Sequence, residues 1–106
     1  MKKGSVVLIP FPFTDLTGSK IRPAVVLNVN ELDVMICFIT SELSWKTEYD
    51  VSVLPSTSNG LKVKSLIRVE KIATIDSTLV LGELGELSHA EIAELNKGLK
   101  KLLELE

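Results

Sequence analysis

The stretch Pro23–Ile39, PAVVLNVNELDVMICFI, decides the fold. Its first part, Pro23–Val29, is apolar and rich in β-branched residues, so it predicts a buried strand. Asn30–Asp33 predicts a turn, because it is polar and contains turn-forming residues. Val34–Ile39 is apolar at every position, which is typical of a central strand covered on both faces. These two strands are therefore expected at the centre of a sheet.

Other segments predict additional strands, because each is short, β-branched and bounded by turn residues. They are Ser5–Phe11, Tyr49–Leu54 and the run from Ser65 to Ile75, which we interpret as one or two strands. Residues 76–85, with glycines at 82 and 85, are interpreted as a connector.

The C-terminal segment predicts a helix over residues 88–105. Ser88 and Glu91 have the capping-box spacing, in which the serine hydroxyl and the glutamate satisfy free backbone N–H groups. Leucine and isoleucine then recur at helical spacing, at positions 92, 95, 99, 102 and 103. Gly98 costs about 1 kcal/mol relative to alanine, which indicates a close packing contact there. The whole pattern predicts one domain, residues 1–106, that is mainly β: a compact antiparallel barrel or curled sheet with the helix packed against it.

The charge of the chain gives a mixed indication about its partners. The net charge is −2, which by itself argues against nucleic-acid binding. However, residues 1–71 carry nine Lys or Arg against seven Asp or Glu, whereas residues 72–106 carry three Lys against seven Asp or Glu. A basic patch on the body is compatible with this distribution. The simpler interpretation is an acidic, solvated C-terminal helix.

The composition excludes most metal and cofactor chemistry. One histidine and one cysteine, far apart, do not make a zinc site of ordinary composition. We interpret Cys37 as a small buried side chain and His89 as an exposed residue of the first helical turn. No glycine-rich phosphate loop is present. No apolar run approaches the roughly 18 residues of a membrane span, and no signal-peptide pattern is present, so we expect a cytoplasmic protein.

Arg22 is the most unusual candidate for a binding group. Pro23 holds the residue before it in an extended conformation, so Arg22 is expected at the entrance of a strand with a fixed direction. Its planar guanidinium binds a phosphate through two parallel hydrogen bonds. The alternative is an ordinary ion pair with an acid such as Asp15.

Other polar residues at strand ends are weaker candidates. Thr40 and Ser41 follow the apolar strand and Ser65 opens a later one, but hydroxyls at such positions commonly satisfy the backbone of a turn. Trp45 follows closely and is suited either to stacking on a base or to packing in a subunit interface. Spacing alone does not separate these alternatives.

Several short motifs occur in order along the chain, and together they resemble the MazF/PemK toxin family. The N-terminal motif comprises Gly4, Phe11-Pro12, Thr14–Leu16, Gly18–Lys20 and Arg22–Leu27. The later motifs are Phe38–Ser41, then Gly60–Lys62 with Ser65, Ile72 and Thr74–Asp76, and finally Gly85–Ser88 with the terminal helix. The resemblance runs from Gly4 to about Leu103, nearly the whole chain.

The resemblance implies a toxin with a small SH3-like or CcdB-like β-barrel that cleaves single-stranded mRNA at short sequences. It places the family's catalytic arginine on Arg22 and its catalytic threonine on Thr40. It implies no metal or cofactor, so the ribose 2′-OH is the expected nucleophile and the expected product ends are a 2′,3′-cyclic phosphate and a 5′-hydroxyl. The residues assigned to RNA binding are Ser19, Lys20, Ser41, Trp45, Lys62, Lys64 and Ser65.

The resemblance also implies partners. They are a second copy of the chain and a cognate antitoxin, whose disordered C-terminal segment binds the toxin and which forms a DNA-binding complex with it. The apolar strand Val34–Ile39 also favours a homodimer, because one helix leaves too little chain to shield both sheet faces.

Two positions depart from the family's pattern and leave alternatives open. Ser5 stands where the family usually has aspartate, and Ala73 where many members have a basic residue. A catalytically inactive member that binds only RNA or an antitoxin is therefore an alternative. A CcdB-like gyrase poison is another, although such proteins depend on an aromatic C terminus and this chain ends Leu103-Glu104-Leu105-Glu106.

Overall fold

The structure is a computed structural model that describes residues 1–11 and 20–106. In this part of the chain six strands form one antiparallel sheet, in the order β4-β5-β3-β2-β1-β6, which curls into a half-barrel. A helix follows the last strand, which confirms the predicted fold. The elements are β1 (Ser5–Phe11), β2 (Lys20–Val29), β3 (Asp33–Thr40), β4 (Val51–Val53), β5 (Ser65–Asp76), β6 (Gly82–Glu86) and α1 (His89–Leu102), with 3₁₀ turns at Leu43–Trp45 and Ser77–Leu79.

The β2–β3 pair lies at the centre of the sheet, as its sequence predicts. Ala24 lies opposite Phe38, and the two strands join through the predicted turn. β2 begins at Lys20, three residues earlier than its apolar pattern indicates. The reason is that the residues before Pro23 are held extended and continue to pair with β1, where Arg22 lies opposite Ile9.

The second half of the sheet agrees with the sequence prediction at β5 and differs from it at β6. Residues 65–76 form a single strand, interrupted by a bulge between Arg68 and Ile72, which lie opposite Phe38 and Cys37. The connector predicted over residues 76–85 is wrong in part, because Gly82–Glu86 forms β6 and pairs with β1. The sequence of β6 has no β-branched alternation that would mark it as a strand. It pairs with β1 through backbone groups, and other backbone atoms approach it closely. A Cβ on Gly85 would overlap the carbonyl oxygen of Ser58.

Two apolar cores lie on opposite faces of the curled sheet. The first includes Val25, Cys37 and Leu95 of α1, so the helix covers this face. The second includes Ala24 and Ile36, and the curled sheet and the segment after β5 enclose it. Both faces of β3 are therefore largely buried within a single copy of the chain. Shielding of β3 does not require a dimer, and the homodimer remains a prediction on other grounds.

The helix confirms the capping box. The Ser88 hydroxyl accepts from the Glu91 backbone N–H, and the Glu91 carboxylate accepts from the Ser88 N–H. α1 ends at Leu102 rather than at 105, because Glu104 adopts a left-handed φ of 56° and reverses the chain. None of the helices in residues 1–11 and 20–106 is long and apolar enough to cross a membrane.

Candidate active site

Arg22 lies near the start of β2 and its side chain is exposed. Arg22 and Ala24 are two residues apart on β2, so their side chains lie on the same face of the sheet. This is the face of the second core. None of the ion pairs among the described residues includes Arg22. Asp15, the alternative partner, lies outside the described residues. Arg22 is thus presented at the sheet end where β1 and β3 finish and β2 and β5 begin.

Thr40 is the last residue of β3 and lies at the same end of the sheet as Arg22. The β2–β3 ladder ends where Ala24 pairs with Phe38, and Arg22 and Thr40 each lie two residues beyond that pair, on the face that the pair shares. The Thr40 hydroxyl accepts a hydrogen bond of 3.0 Å from the Glu42 N–H. This is the turn-stabilising contact that spacing favours, and it leaves the hydroxyl proton of Thr40 available for donation.

The residues predicted to bind RNA differ in their exposure to solvent. Lys20, Ser41, Lys62 and Lys64 are exposed. Ser65 is only 3% exposed and donates from its hydroxyl to the Val63 carbonyl at 2.9 Å, which is a structural contact. Ser19 lies outside the described residues. The exposed lysines therefore remain candidates, whereas Ser65 is occupied within the fold.

Sequence reasoning missed a buried ion pair beside this site. Arg68 of β5 lies opposite Phe38, on the face that carries Arg22 and Thr40. Its Nε lies 3.1 Å from Oδ2 of Asp50. The Asp50 side chain is fully buried, and that of Arg68 is 14% exposed. The two residues are 18 apart in sequence, and only their charges and the strand pattern around them hinted at a contact.

Three further contacts anchor the Asp50 carboxylate and cover Arg68. Asp50 accepts backbone hydrogen bonds from Thr47 at 3.0 Å and from Val69 at 3.1 Å. The Arg68 Nε–H is not aligned with the carboxylate, so the pair is held by charge rather than by a linear hydrogen bond. The Trp45 ring lies over the guanidinium, with 5.6 Å between Cζ and the ring centroid. Trp45 itself is 57% exposed.

Arg22 and Thr40 lie outside the two concavities that residues 1–11 and 20–106 form beside α1. Two concavities of about 380 Å³ each flank α1, one near His89 and one near Tyr49 and Lys97. Neither is lined by Arg22 or Thr40. An exposed, cationic strand end is suited to an extended polyanion rather than to a small molecule.

The chemistry available here is charge stabilisation and hydrogen bonding. Among the described residues no group of three metal-ligating side chains occurs. Cys37 does not act as a nucleophile, because burial, with a smaller contribution from the Asp50 charge, raises the pKa of its thiol to about 12. Its Sγ lies 3.7 Å from the Val69 carbonyl oxygen.

Comparison with known proteins identifies the family. The sequence pattern of the PemK-like, MazF-like toxins of type II toxin–antitoxin systems matches residues 2–103. The chain belongs to this family. It is therefore the toxin of a type II toxin–antitoxin system. No curated protein sequence matches the chain.

Solved structures share the fold of this toxin. A mycobacterial endoribonuclease in complex with its cognate antitoxin superposes with a TM-score of 0.81 at 19% identity, over 100% of this chain and 97% of that one. The toxin MazF-mt6 of Mycobacterium tuberculosis gives a TM-score of 0.78 at 18% identity, over 96% and 98% of the two chains. A MazE–MazF structure from Deinococcus radiodurans gives 0.73 at 24% identity, over 100% and 97%. At these identities the likeness establishes the fold.

Proposed function

We propose that this toxin is a metal-independent endoribonuclease that cleaves single-stranded mRNA at short sequences. The observation that carries the proposal is the position of the exposed Arg22 and of Thr40, each two residues beyond the last β2–β3 pair, on one face at one end of the sheet. Membership of the MazF-like family and the similar mycobacterial endoribonucleases support it.

The reaction follows from what these two side chains supply. The ribose 2′-oxygen gives its proton to a solvent water and forms a bond to the adjacent phosphorus. The bond from phosphorus to the 5′-oxygen breaks, and that oxygen takes a proton from solvent. The products are a 2′,3′-cyclic phosphate and a 5′-hydroxyl. Arg22 stabilises the negative charge that develops on the phosphorane. Thr40 donates a hydrogen bond that orients the phosphate or the 2′-hydroxyl.

The structure favours a single-stranded substrate. Bases must be splayed out to be recognised, which a duplex prevents. Exposed cations lie toward this end of the sheet, at Lys20, Arg22, Lys62 and Lys64. These side chains suit a flexible phosphate backbone that follows the sheet end.

The two departures from the family's pattern lie away from this site. Ser5 is fully buried, and its hydroxyl accepts from the Lys2 N–H at 3.0 Å, so it has a structural role. Ala73 lies opposite Ile36 and packs against the second core. Neither position touches the pair formed by Arg22 and Thr40. Their location therefore supports an active toxin over an inactive, RNA-binding member of the family.

We also propose the partners that the family implies. They are a second copy of the chain and a cognate antitoxin whose disordered C-terminal segment folds on binding, and the two proteins together bind DNA. Similar toxins have been solved with their antitoxins. We place the toxin in the cytoplasm, where its mRNA substrate is found.

The decisive experiment is RNA cleavage by the purified toxin and its Arg22 variants. Arg22→Ala should lose on the order of 100-fold in rate, comparable to the loss of one oxyanion donor. Arg22→Lys should recover little, because an ammonium does not reproduce the two parallel hydrogen bonds. Lys97→Ala is the matched control, since it removes an exposed cation from α1, on the other side of the sheet.

Product ends and metal dependence complete the test. Cleavage should persist in excess EDTA and leave cyclic phosphate and 5′-hydroxyl ends. A folded Arg22→Ala protein with wild-type activity would refute the assignment, as would activity that EDTA abolishes and magnesium restores. A wild-type protein that binds RNA without cutting it would instead support the inactive alternative, and one that inhibits gyrase would support the gyrase poison.

A further inference from the structure

Trp45 is the only tryptophan of the chain, and it is held in an unusual setting. One side of its ring faces the Arg68 guanidinium, while 57% of the residue remains exposed to solvent. Tryptophan is rarely buried completely, and one exposed ring does not by itself mark a binding surface. The contacts beneath this ring and its position in the sheet are what point to a ligand.

The support under this ring is rigid. The Asp50 side chain is fully buried, and its carboxylate contacts three groups: the Thr47 N–H, the Val69 N–H and the Arg68 guanidinium. It thereby joins the loop at Thr47 to β5. The Arg68 side chain is only 14% exposed, so solvent screens its charge weakly. Its attraction to the Asp50 carboxylate and to the Trp45 ring is therefore stronger than at an exposed position. The ring is thus held against a fixed cation.

This ring also lies close to the cleavage site. Thr40 pairs with Leu66 across the β3–β5 ladder, and Arg68 is the next residue of β5 on the same face. Arg68 is therefore a diagonal neighbour of Thr40, at roughly 7–8 Å between backbones. A nucleotide with its phosphate at Arg22 and Thr40 has its own or an adjacent base within reach of Trp45.

We propose that Trp45 is a stacking platform for an unpaired nucleobase next to the cleaved phosphate, and that Arg68 and Asp50 are positioning residues that hold its ring. The proposal rests on the endoribonuclease function proposed above. An aromatic face backed by a cation suits a base, and stacking tolerates every base because each has a π-face. The platform therefore contributes affinity, while Arg22 and Thr40 act on the phosphate.

Binding is tested with uncleavable probes. The first probe is a random-sequence pool of single-stranded DNA 12-mers, which lack the 2′-OH; the second is an abasic 12-mer with the same phosphates and no bases. The DNA pool should quench the Trp45 fluorescence of the full-length toxin, and the abasic strand should not. Equal quenching by both probes would show a backbone effect and overturn the platform.

Variants of the ring provide the second readout, with end-labelled DNA followed by anisotropy. Trp45→Leu keeps apolar volume but removes the aromatic face, and it should weaken binding about tenfold, whereas Trp45→Tyr should stay within about threefold. Leu43→Ala, in the same 3₁₀ turn and 40% exposed, is the matched control and should bind normally. An equal loss in the Leu43 variant would overturn the specific role of the ring.

Cleavage kinetics separate this proposal from the function on which it rests. With RNA as substrate, Trp45→Leu should raise KM about tenfold and leave kcat nearly unchanged. Cleavage that is insensitive to Trp45→Leu overturns the platform and leaves the endoribonuclease intact. Base-dependent quenching without any RNA cleavage refutes the endoribonuclease and leaves base stacking intact. Sedimentation of Trp45→Leu as a smaller assembly than wild type would assign the ring to a subunit interface and overturn the platform.

The positioning role of Arg68 has its own spectroscopic test. Arg68→Met, paired with Asp50→Asn so that no uncompensated charge is buried, should release the ring and increase its quenching by acrylamide in the RNA-free protein. KM should rise as for Trp45→Leu. Unchanged acrylamide quenching in the folded double variant would overturn the support by Arg68. Loss of kcat alone would assign Arg68 to the phosphate instead.

Discussion

Removal of the Asp50 charge should destabilise the toxin far more than removal of a neighbouring surface charge. Asp50→Asn keeps the shape of the side chain, but it leaves Arg68 in a nearly buried position without its counter-charge. The two carboxylate oxygens of Asp50 accept hydrogen bonds from the Thr47 and Val69 N–H groups, and Asp50→Asn replaces one of these oxygens with an amide NH₂ that does not accept. Breaking a buried pair from one side costs about 3–5 kcal/mol. The lost backbone acceptor is part of the same disruption, so we expect about 4 kcal/mol in total.

Glu48→Gln is a control only two residues away. Glu48 also forms an ion pair, with Lys101 at 3.0 Å, but the two side chains are 62% and 56% exposed. Such a pair contributes at most about 1 kcal/mol, because water and salt screen it. The same loss of one negative charge should therefore have very different consequences at the two positions.

Thermal and urea unfolding measure the contrast. At about 4–8 °C per kcal/mol for a domain of this size, Asp50→Asn should lower Tm by about 20 °C and Glu48→Gln by no more than about 5 °C. Arg68→Met should cost nearly as much as Asp50→Asn, and the double variant should cost much less than the sum, because it leaves neither charge unpaired. Equal Tm shifts for Asp50→Asn and Glu48→Gln, or additive single costs, would refute the assignment of a buried coupled pair.

Three further perturbations have expected outcomes. Gly98→Ala should lower the free energy of unfolding by about 1–3 kcal/mol despite the better helix propensity of alanine, because its Cβ would lie 2.5 Å from the Tyr49 carbonyl oxygen; a gain in Tm would contradict this close approach. Cys37 has a pKa raised from 9.0 to about 12, so the native state retains a proton that the unfolded state releases, and its contribution to stability should be lost as pH rises from 9 to 12. The free energy of unfolding of Cys37→Val, measured by urea titration at each pH, should decline less between pH 9 and 12 than that of the wild type. An equal decline in the two proteins would contradict this role of Cys37. Ser88→Ala should cost about 1 kcal/mol through loss of the hydroxyl that caps the Glu91 N–H, and hydrogen exchange in the first turn of α1 should accelerate.

The parts of the fold that the sequence predicts are those with local signals. Val34–Ile39 has the continuous apolar pattern of a central strand, and Ser88 with Glu91 has the spacing of a capping box, so both are visible in a few residues. β6 is not visible in the sequence, because Gly82–Glu86 pairs through backbone groups and its side chains do not alternate between apolar and polar. The end of α1 was missed for a similar reason, since the left-handed residue there is Glu104 rather than a glycine.

The candidate site was predictable only in pieces. Pro23 indicates that Arg22 is held extended, and the resemblance to a family selects Thr40, but their separation of 18 residues does not show that both lie on one face at the same end of the sheet. The ion pair between Asp50 and Arg68 depends on the β4–β5 pairing and on a bulge, which are tertiary features. The support beneath Trp45 therefore emerged only from the structure.

The sheet also explains how an acidic chain presents a cationic surface. α1 packs on the first core through Leu95, whereas Arg22 and Thr40 lie on the face of the second core. Glu91 and Glu94 of α1 are balanced by three lysines of the same helix, and the other acidic residues after position 71 lie outside it. A phosphate approaching Arg22 is attracted by the exposed lysines at the same end of the sheet, because local charge governs such an approach more than the total does. The net charge of −2 is a sum over the whole chain, so it does not describe the local charge at this end of the sheet.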